Sequence, residues 1–147
     1  MTTTGADTVA RRIDVRGVVQ GVGFRPYVWR LAHAHALRGW VRNDGDGVRI
    51  QIEGDAASVD SFIKALQTHP PAAAQITAID IVNGRAEFAA GFDILDSRCS
   101  SGPTARISPD LPICELCLRE LRHTADRRSR YPYVNCTNCG PRYSILL

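Results

Sequence analysis

The sequence predicts an α+β fold in which an antiparallel sheet carries two helices on one face, and a second, smaller unit follows it. Several stretches alternate apolar and polar residues with period two, as half-buried strands do. Two other stretches repeat apolar residues every three or four positions, as amphipathic helices do. These stretches follow one another in the order β-α-β-β-α-β, and one further short strand comes after them.

The first half of this pattern contains three strands and one helix. Residues 12–16, 37–44 and 48–54 are predicted as strands, and the hairpin turn Asp44-Gly45-Asp46-Gly47 joins the last two. Pro26 is tolerated only in the first turn of a helix, so the helix begins close before it. The apolar stripe of this helix consists of Phe24, Val28, Leu31 and Ala32.

The second half adds one helix and two strands. Ser58 is predicted as the N-cap of the helix, and His69-Pro70-Pro71 is predicted to end it. Residues 76–82 and 91–95 are predicted as strands. The apolar stripe of the helix consists of Val59, Phe62, Ile63 and Leu66. The complete order is that of the ferredoxin-like split βαβ sandwich.

Composition divides the chain into four parts. Residues 1–10 are expected to form a flexible tail, residues 11–98 the sandwich, residues 99–112 a linker, and residues 113–147 a cysteine-bearing segment. Hydrophobic residues make up 44% of the chain and charged residues 22%, as in ordinary soluble proteins. No apolar run is long enough to span a bilayer and no signal peptide pattern is present, so a cytoplasmic protein without a membrane partner is expected.

A glycine-rich loop between the first strand and the first helix carries the clearest functional signal. Gly17, Gly21 and Gly23 are followed by Arg25. Glycine permits close approach of the backbone to a ligand, a helix N-terminus offers unpaired N–H groups, and arginine matches phosphate oxygens. The combination predicts a phosphate cradle, and a plain turn is the alternative. The spacing is neither that of a Walker loop nor that of the dinucleotide fingerprint.

The segment Gly17-Val18-Val19-Gln20-Gly21-Val22-Gly23-Phe24-Arg25 resembles the signature of acylphosphatases. Asn43-Asp44-Gly45-Asp46-Gly47, together with Glu53-Gly54, resembles the second signature of that family, although Val48 follows Gly47 directly. The resemblance covers residues 11–96 and implies the acylphosphatase-like sandwich, in agreement with the order of elements.

The resemblance also implies a mechanism that needs neither metal nor general base. Arg25 would clamp the phosphate, and the side-chain amide of Asn43 would orient the attacking water. The N–H groups that complete the cradle would be those of Gln20, Gly21, Val22, Gly23 and Phe24. Because an acyl phosphate is an activated mixed anhydride, positioning and charge stabilisation are sufficient for its hydrolysis.

Four cysteines form two Cys-x-x-Cys pairs, Cys114 with Cys117 and Cys136 with Cys139, and eighteen residues separate the pairs. Each pair can direct two sulfur atoms at one ion, and two pairs complete a tetrahedron. This spacing predicts a closed structural site for one Zn²⁺ per chain, a zinc finger with four cysteine ligands. Cys99 is left over and is expected to be a structural cysteine rather than a nucleophile.

The residues around the cysteines extend the resemblance to nearly all of residues 11–147. Thr104-Ala-Arg-Ile-Ser-Pro-Asp110 and residues 130–143 are similar to the first zinc finger of HypF-type carbamoyltransferases, which mature nickel–iron hydrogenases. In that family an acylphosphatase-like domain precedes zinc fingers, an ATP-using domain and a carbamoyl-transfer domain. The resemblance implies carbamoyl phosphate as the substrate and a HypE-type protein as a partner.

The chain stops at Leu147, just past the first finger. It is therefore expected to be an N-terminal fragment, a truncated gene product or a split version of a HypF-type protein. Its partners would then include the missing downstream HypF domains.

Two other functions stay open at this point. One is a stand-alone acylphosphatase with a zinc-ribbon docking module. The other is a non-catalytic zinc-ribbon interaction module with basic contacts from Arg127, Arg128 and Arg130. The net charge of +3 arises in residues 99–147, and four thiolates with one divalent ion reduce it to about +1. This near-neutral balance disfavours nucleic acid, and the intact phosphate loop disfavours a non-catalytic role.

Overall fold

The computed structural model describes residues 8–45, 47–98, 112–131 and 136. Its elements are β1 (Val9–Val18), α1 (Phe24–Ala34), β2 (Arg38–Asp44), β3 (Gly47–Gly54), α2 (Ala56–Thr68), β4 (Gln75–Asn83), β5 (Phe92–Ile94) and α3 (Glu115–Arg122). The predicted β-α-β-β-α-β order and its extra strand are confirmed. Within the described ranges, no helix is both long and apolar enough to cross a bilayer.

The five strands form one sheet in the order β4-β1-β3-β2-β5. β1 pairs antiparallel with β3 and β4, and β2 pairs antiparallel with β3. β5 instead runs parallel to β2, with Gly39 opposite Phe92 and Val41 opposite Ile94. The expected antiparallel sheet is therefore confirmed for β1 to β4, and the extra strand β5, for which no direction was predicted, is parallel to its neighbour. It differs because the chain crosses from the β4 edge to the β2 edge before it forms β5.

The hydrophobic core lies between the sheet and the two long helices. α1 buries Phe24, Val28 and Ala32, and α2 buries Val59, Phe62 and Leu66. The sheet contributes alternate residues of β1, β2 and β3, each at most 2% exposed: Ile13, Val15, Val41, Val48, Ile50 and Ile52. Burying one such side chain contributes about 1.5–3 kcal/mol to the stability of the fold. The two predicted apolar stripes are therefore the helix faces that stabilise the domain.

Two local expectations differ from the structure. β1 begins at Val9, and Ala10 is buried, so the end of the predicted tail belongs to the sheet. The N-cap of α2 is Asp55 rather than Ser58, and the Asp55 carboxylate accepts a hydrogen bond from the Ser58 N–H at 3.0 Å. The two alanines of the first turn are not part of the predicted apolar stripe, so the pattern placed the start of this helix too late. In the cysteine segment, α3 begins at Glu115, between the first two cysteines.

An irregular segment, residues 84–91, crosses the face of the sheet opposite the helices, and we call it the strap. Gln51 and Glu53 alternate with core residues of β3, so they face the strap, and both are 1% exposed. The Gln51 amide donates to the Arg85 carbonyl at 2.9 Å. The Glu53 carboxylate accepts three hydrogen bonds, at 2.6–3.0 Å, from the N–H groups of residues 87–89. These two side chains hold the strap on the sheet.

Candidate active site and metal centre

The loop between β1 and α1 has the backbone conformation that an anion cradle requires. Gly21 and Gly23 have φ values of 73° and 74°, in the left-handed region that favours glycine. Gly23 is the N-cap of α1, and no side chain caps this helix. Among the described backbone pairs outside helices and strands, no carbonyl accepts a hydrogen bond from the N–H groups of residues 20–24. These donors and the positive end of the helix macrodipole are available to an anion.

Arg25 lies in the first turn of α1, two residues after the N-cap. Its side chain is partly exposed, and none of the ion pairs between described residues includes it. The first turn of α1 contains no acidic residue. An anion that enters the loop therefore competes with no carboxylate of that turn for the guanidinium group.

Asn43 lies near the end of β2, at the same end of the sheet as the loop. It pairs with Val48 of β3, and Val48 pairs with Val15 of β1, shortly before β1 ends at Val18. Asn43 follows buried Val41 by two residues and so shares the helix-side face of the sheet. Its Oδ1 atom is buried and has no hydrogen-bond donor among the described residues. A buried acceptor of this kind takes its hydrogen bond from solvent or ligand.

One side chain ties the loop to the hairpin that carries Asn43. The Gln20 Nε2 atom donates to the carbonyl oxygen of Gly45 at 2.9 Å and to that of Gly47 at 2.8 Å. The structure thus brings the predicted loop, Arg25 and Asn43 to one end of the sheet. Together they form a site with several donors for an anion and one unsatisfied acceptor.

A groove of about 350 Å³ lies at the same end but on the opposite face of the sheet. Arg49 crosses it, at 2.6 Å from Asp14 and 2.7 Å from Asp44. The hydrogen bond with Asp14 raises the pKa of Arg49 above its ordinary value. Arg16 also lines the groove, so that two cations face two carboxylates. This balance of charge makes the groove a poor phosphate site, and the loop is the candidate.

Three of the four predicted metal ligands are described, and the structure brings them together. The Sγ atoms of Cys114, Cys117 and Cys136 lie within 4.8 Å of one another. Cys114 is the N-cap of α3 and Cys117 lies in its first turn, so one helix end carries both thiols of the first pair. The Cys114 N–H group donates to Cys136 Sγ at 3.3 Å, a type of hydrogen bond that supports metal-bound sulfur.

These soft sulfur ligands fit a metal such as zinc. The predicted fourth ligand, Cys139, lies outside the described residues, and so do Cys99 and most of the predicted linker. The described residues therefore form a cluster of three converging thiols that could hold a metal ion.

Two contacts of the candidate active site were not predicted from the sequence. Gln20 was expected to contribute only its N–H group, yet its side chain joins two parts of the site. The Arg98 N–H group donates to the Asn43 carbonyl at 3.1 Å, so the chain leaves the sheet beside Asn43. One signal pointed to Gln20, which is the only polar side chain between Gly17 and Phe24. Nothing in the local pattern pointed to Arg98.

The fold, the loop and the cysteine cluster define an acylphosphatase-like α+β domain that precedes a cysteine-rich finger segment. The chain belongs to the acylphosphatase family, whose profile matches residues 11–94. Residues 113–146 match the HypF finger. The chain thus has the acylphosphatase domain and the finger of HypF carbamoyltransferases.

The similarity to HypF proteins extends over almost the whole chain. The chain is 47% identical over 140 residues to carbamoyltransferase HypF2 of Cupriavidus necator, a match that covers 94% of this chain and 17% of that protein. A crystal structure of full-length HypF in the phosphate- and nucleotide-bound form matches with a TM-score of 0.79 and 40% identity, and covers 92% of this chain and 18% of that one. The chain therefore spans less than a fifth of these relatives.

A smaller relative matches the first part alone. The acylphosphatase from Bacillus subtilis has a TM-score of 0.55 and 37% identity, and the match covers 59% of this chain and 98% of that structure. The α+β sandwich of this chain is thus equivalent to an entire acylphosphatase.

Proposed function

We propose that this chain hydrolyses acyl phosphates and that its substrate is carbamoyl phosphate. The observation that carries the proposal is the buried Oδ1 atom of Asn43, which has no donor among the described residues. It lies at the end of the sheet to which Gln20 ties the loop. A phosphate group in the loop would accept hydrogen bonds from the N–H groups of residues 20–24 and from Arg25. A water that donates to Asn43 Oδ1 would be held beside it.

The proposed reaction needs little more than this placement. Water attacks phosphorus, the bond between phosphorus and the bridging oxygen breaks, and carbamate leaves with the electron pair of that bond. The proton of the water passes to solvent. Arg25 and the loop N–H groups stabilise the charge on the phosphoryl oxygens in the transition state, and this electrostatic term is the main source of rate enhancement in such sites.

The choice of carbamoyl phosphate rests on similarity to proteins that are named carbamoyltransferases. In a HypF-type protein, the carbamate would pass to ATP-using and carbamoyl-transfer domains and then to a HypE-type partner in hydrogenase maturation. Acetyl phosphate is the comparison substrate that tests this choice. We expect a higher kcat/KM for carbamoyl phosphate. Equal values for both substrates would instead indicate a general acylphosphatase.

Two substitutions test the site itself. Arg25→Ala and Asn43→Ala each remove one positioning group, so kcat/KM should fall about 10²–10³-fold in phosphate-release assays. Arg30→Ala changes an exposed arginine of the same helix, and Asn83→Ala changes an exposed asparagine at the opposite end of the sheet. Both controls should keep the parent rate. Parent-like rates in both site variants would refute the assignment.

We further propose that the cysteine cluster holds one structural zinc ion, with Cys139 as the fourth ligand. Four thiolates leave no open position, so the ion would cross-link the segment and take no part in hydrolysis. Metal analysis of the purified chain should find about one zinc per chain. Cys136→Ser should lower this content, and Cys99→Ser should leave it unchanged. Unchanged zinc in Cys136→Ser would contradict the ligand set.

A further inference from the structure

The Gln20 side chain makes two hydrogen bonds across a large sequence separation. Its Nε2 atom donates to the carbonyl oxygens of Gly45 and Gly47 at 2.9 Å and 2.8 Å. A carboxamide nitrogen has two hydrogens, so both are used on the β2–β3 hairpin. No hydrogen of this amide is left to donate to a phosphate in the loop.

The two accepting carbonyls lie on the turn that directly follows Asn43. Gly45 has a φ value of 56°, and Gly47 begins β3. Gln20 lies in the loop, directly before the segment in which Gly21 and Gly23 have left-handed φ values. The amide therefore links the phosphate side of the site to the side that would hold the water. Gln20 precedes α1, whereas Gly45 and Gly47 follow it. The covalent chain between the donor and its two acceptors therefore runs through all of α1.

We infer that Gln20 is a positioning residue for hydrolysis, and this inference rests on the proposed function. It fixes the loop against the hairpin, so that a water on Asn43 lies in line with a phosphate bound by Arg25 and the loop. Displacement of reacting groups by about 1 Å costs on the order of 10²-fold in rate. The role is distinct from phosphate binding, since the amide hydrogens are directed at carbonyls.

The inference predicts a separation between turnover and phosphate affinity. Gln20→Met keeps the length of the side chain and removes both donors. We expect kcat to fall about 10–100-fold, while the inhibition constant of inorganic phosphate changes less than about threefold, because the loop N–H groups and Arg25 remain. An increase of the inhibition constant that matches the loss of kcat would overturn the inference and make Gln20 part of the phosphate cradle.

A double-mutant cycle with Asn43→Ala separates positioning from general stability. If Gln20 acts by placing Asn43, its removal from the Asn43→Ala variant should cost less than about threefold in kcat. Equal losses in both backgrounds would show that Gln20 does not act through Asn43. Gln51→Met is the matched control, because the Gln51 amide also donates to a distant carbonyl, that of Arg85 at 2.9 Å. It should lower stability and leave kcat unchanged.

Hydrogen exchange tests the same link without hydrolysis. Inorganic phosphate should slow exchange of the amides of residues 43–48 in the parent chain and fail to do so in folded Gln20→Met. A parent chain that releases no phosphate from any acyl phosphate would refute the proposed function. The exchange result would still decide whether Gln20 couples loop and hairpin, and equal protection of the hairpin in both proteins would refute the coupling.

Discussion

Glu53 shows how a single buried side chain can fix a segment far away in sequence. Its carboxylate is 1% exposed, and burial of such a group is costly unless hydrogen bonds satisfy it. The N–H groups of Glu87, Phe88 and Ala89 supply three, at 2.7, 3.0 and 2.6 Å. This arrangement holds Phe88 at a φ of 52° with 75% of its surface exposed. Glu53 thus anchors the middle of the strap, and Gln51 anchors its start through the Arg85 carbonyl.

Removal of the Glu53 carboxylate should therefore destabilise the domain without stopping hydrolysis. Glu53→Gln replaces one acceptor oxygen by an NH₂ group that faces backbone donors, and we expect a loss of about 1.5–3 kcal/mol in the free energy of unfolding. Urea unfolding measures this loss, and phosphate release should stay near the parent rate.

Glu87→Gln is the matched control for this substitution, because the Glu87 side chain makes an exposed hydrogen bond with Trp40. Its effect should stay below about 0.5 kcal/mol. Equal destabilisation by the two changes would contradict the anchoring role of Glu53.

The sequence pointed to Arg25 and Asn43 as candidate site residues but not to the side chains that hold the surrounding segments in place. Arg25 and Asn43 lie in short motifs whose chemistry can be inferred locally. The partners of Gln20 and Glu53 lie 25 to 36 residues away, in a turn and in a segment with no periodicity. Such contacts depend on tertiary structure, and a pattern of apolar spacing contains no information about them.

Among the strands, β2 depends on a glycine for its close approach to β3. Gly39 has a φ of 133°, and a Cβ atom built on it would lie 2.0 Å from the Gln51 carbonyl oxygen of β3. Its N–H group donates to the Gly91 carbonyl at 2.8 Å. A side chain at this position would displace β2 from β3.

Gly39→Ala should accordingly destabilise the fold by about 3 kcal/mol or more. Gly91→Ala offers a matched control on the partner of the same hydrogen bond, since a Cβ there meets no atom within 4 Å. It should be neutral or stabilising by up to about 1 kcal/mol, because alanine restricts the unfolded chain. Thermal unfolding compares the two variants. A similar midpoint for both would contradict the need for glycine at position 39.

The start of α2 should make stability depend on pH in the acid range. Hydrogen bonding from Ser58 lowers the pKa of Asp55, so the folded state favours the charged cap. The stabilisation is fully present above the unfolded value of about 3.9 and is lost as pH falls through the lower folded value. The stability difference between the parent and Asp55→Ala should be constant at neutral pH and shrink below about pH 4.

Asp55→Asn separates charge from capping, because asparagine caps a helix without titrating. Its advantage over Asp55→Ala should not vary across the same acid range. A parent–alanine difference that persists at the lowest pH would show that the Asp55 charge contributes nothing to the cap.

The order of the elements could be predicted because each strand or helix has its own apolar period. Their ends and the last pairing could not. Asp55 caps α2, but the apolar stripe begins only at Val59. Ser58, directly before the stripe, was therefore predicted as the cap. β5 has three residues, too few to indicate direction, and its parallel pairing follows from the route of the strap.

Across the entire chain, the apolar core belongs to the first unit. The described core residues all lie between Ile13 and Phe92. After Phe92, the buried residues within the described ranges are Cys117 and Cys136. The cysteine segment therefore has no apolar core of its own in its described part, and converging thiols take the place of one. The boundary near residue 98, expected from composition, stays a prediction, and Cys139 lies outside the described residues.

Removal of the metal should consequently affect the two units very differently. Structural zinc supplies on the order of 10 kcal/mol to small cysteine-rich modules, so chelation should unfold the segment around α3. Residues 8–98 should stay folded, because their core contains none of the ligands. Hydrolysis should remain within about twofold of the parent rate, since Arg25, Gln20 and Asn43 need no metal for their proposed roles. In one titration with the chelator, circular dichroism measures the loss of helix, hydrogen exchange shows which residues unfold, and phosphate release measures hydrolysis.

A truncated chain of residues 1–98 is the reference for that experiment. It retains the whole described core and the Arg98 N–H group that donates to the Asn43 carbonyl, so it should unfold cooperatively and match the chelated full chain in rate. Among the described residues, Arg98 is where the chain leaves the domain beside the site, so this contact is a route by which the cysteine segment could influence Asn43. Loss of hydrolysis in step with zinc removal, with the truncated chain still active, would show that an unfolded segment disturbs Asn43 through this exit. Loss in both proteins would show instead that the sandwich needs the segment to form its site.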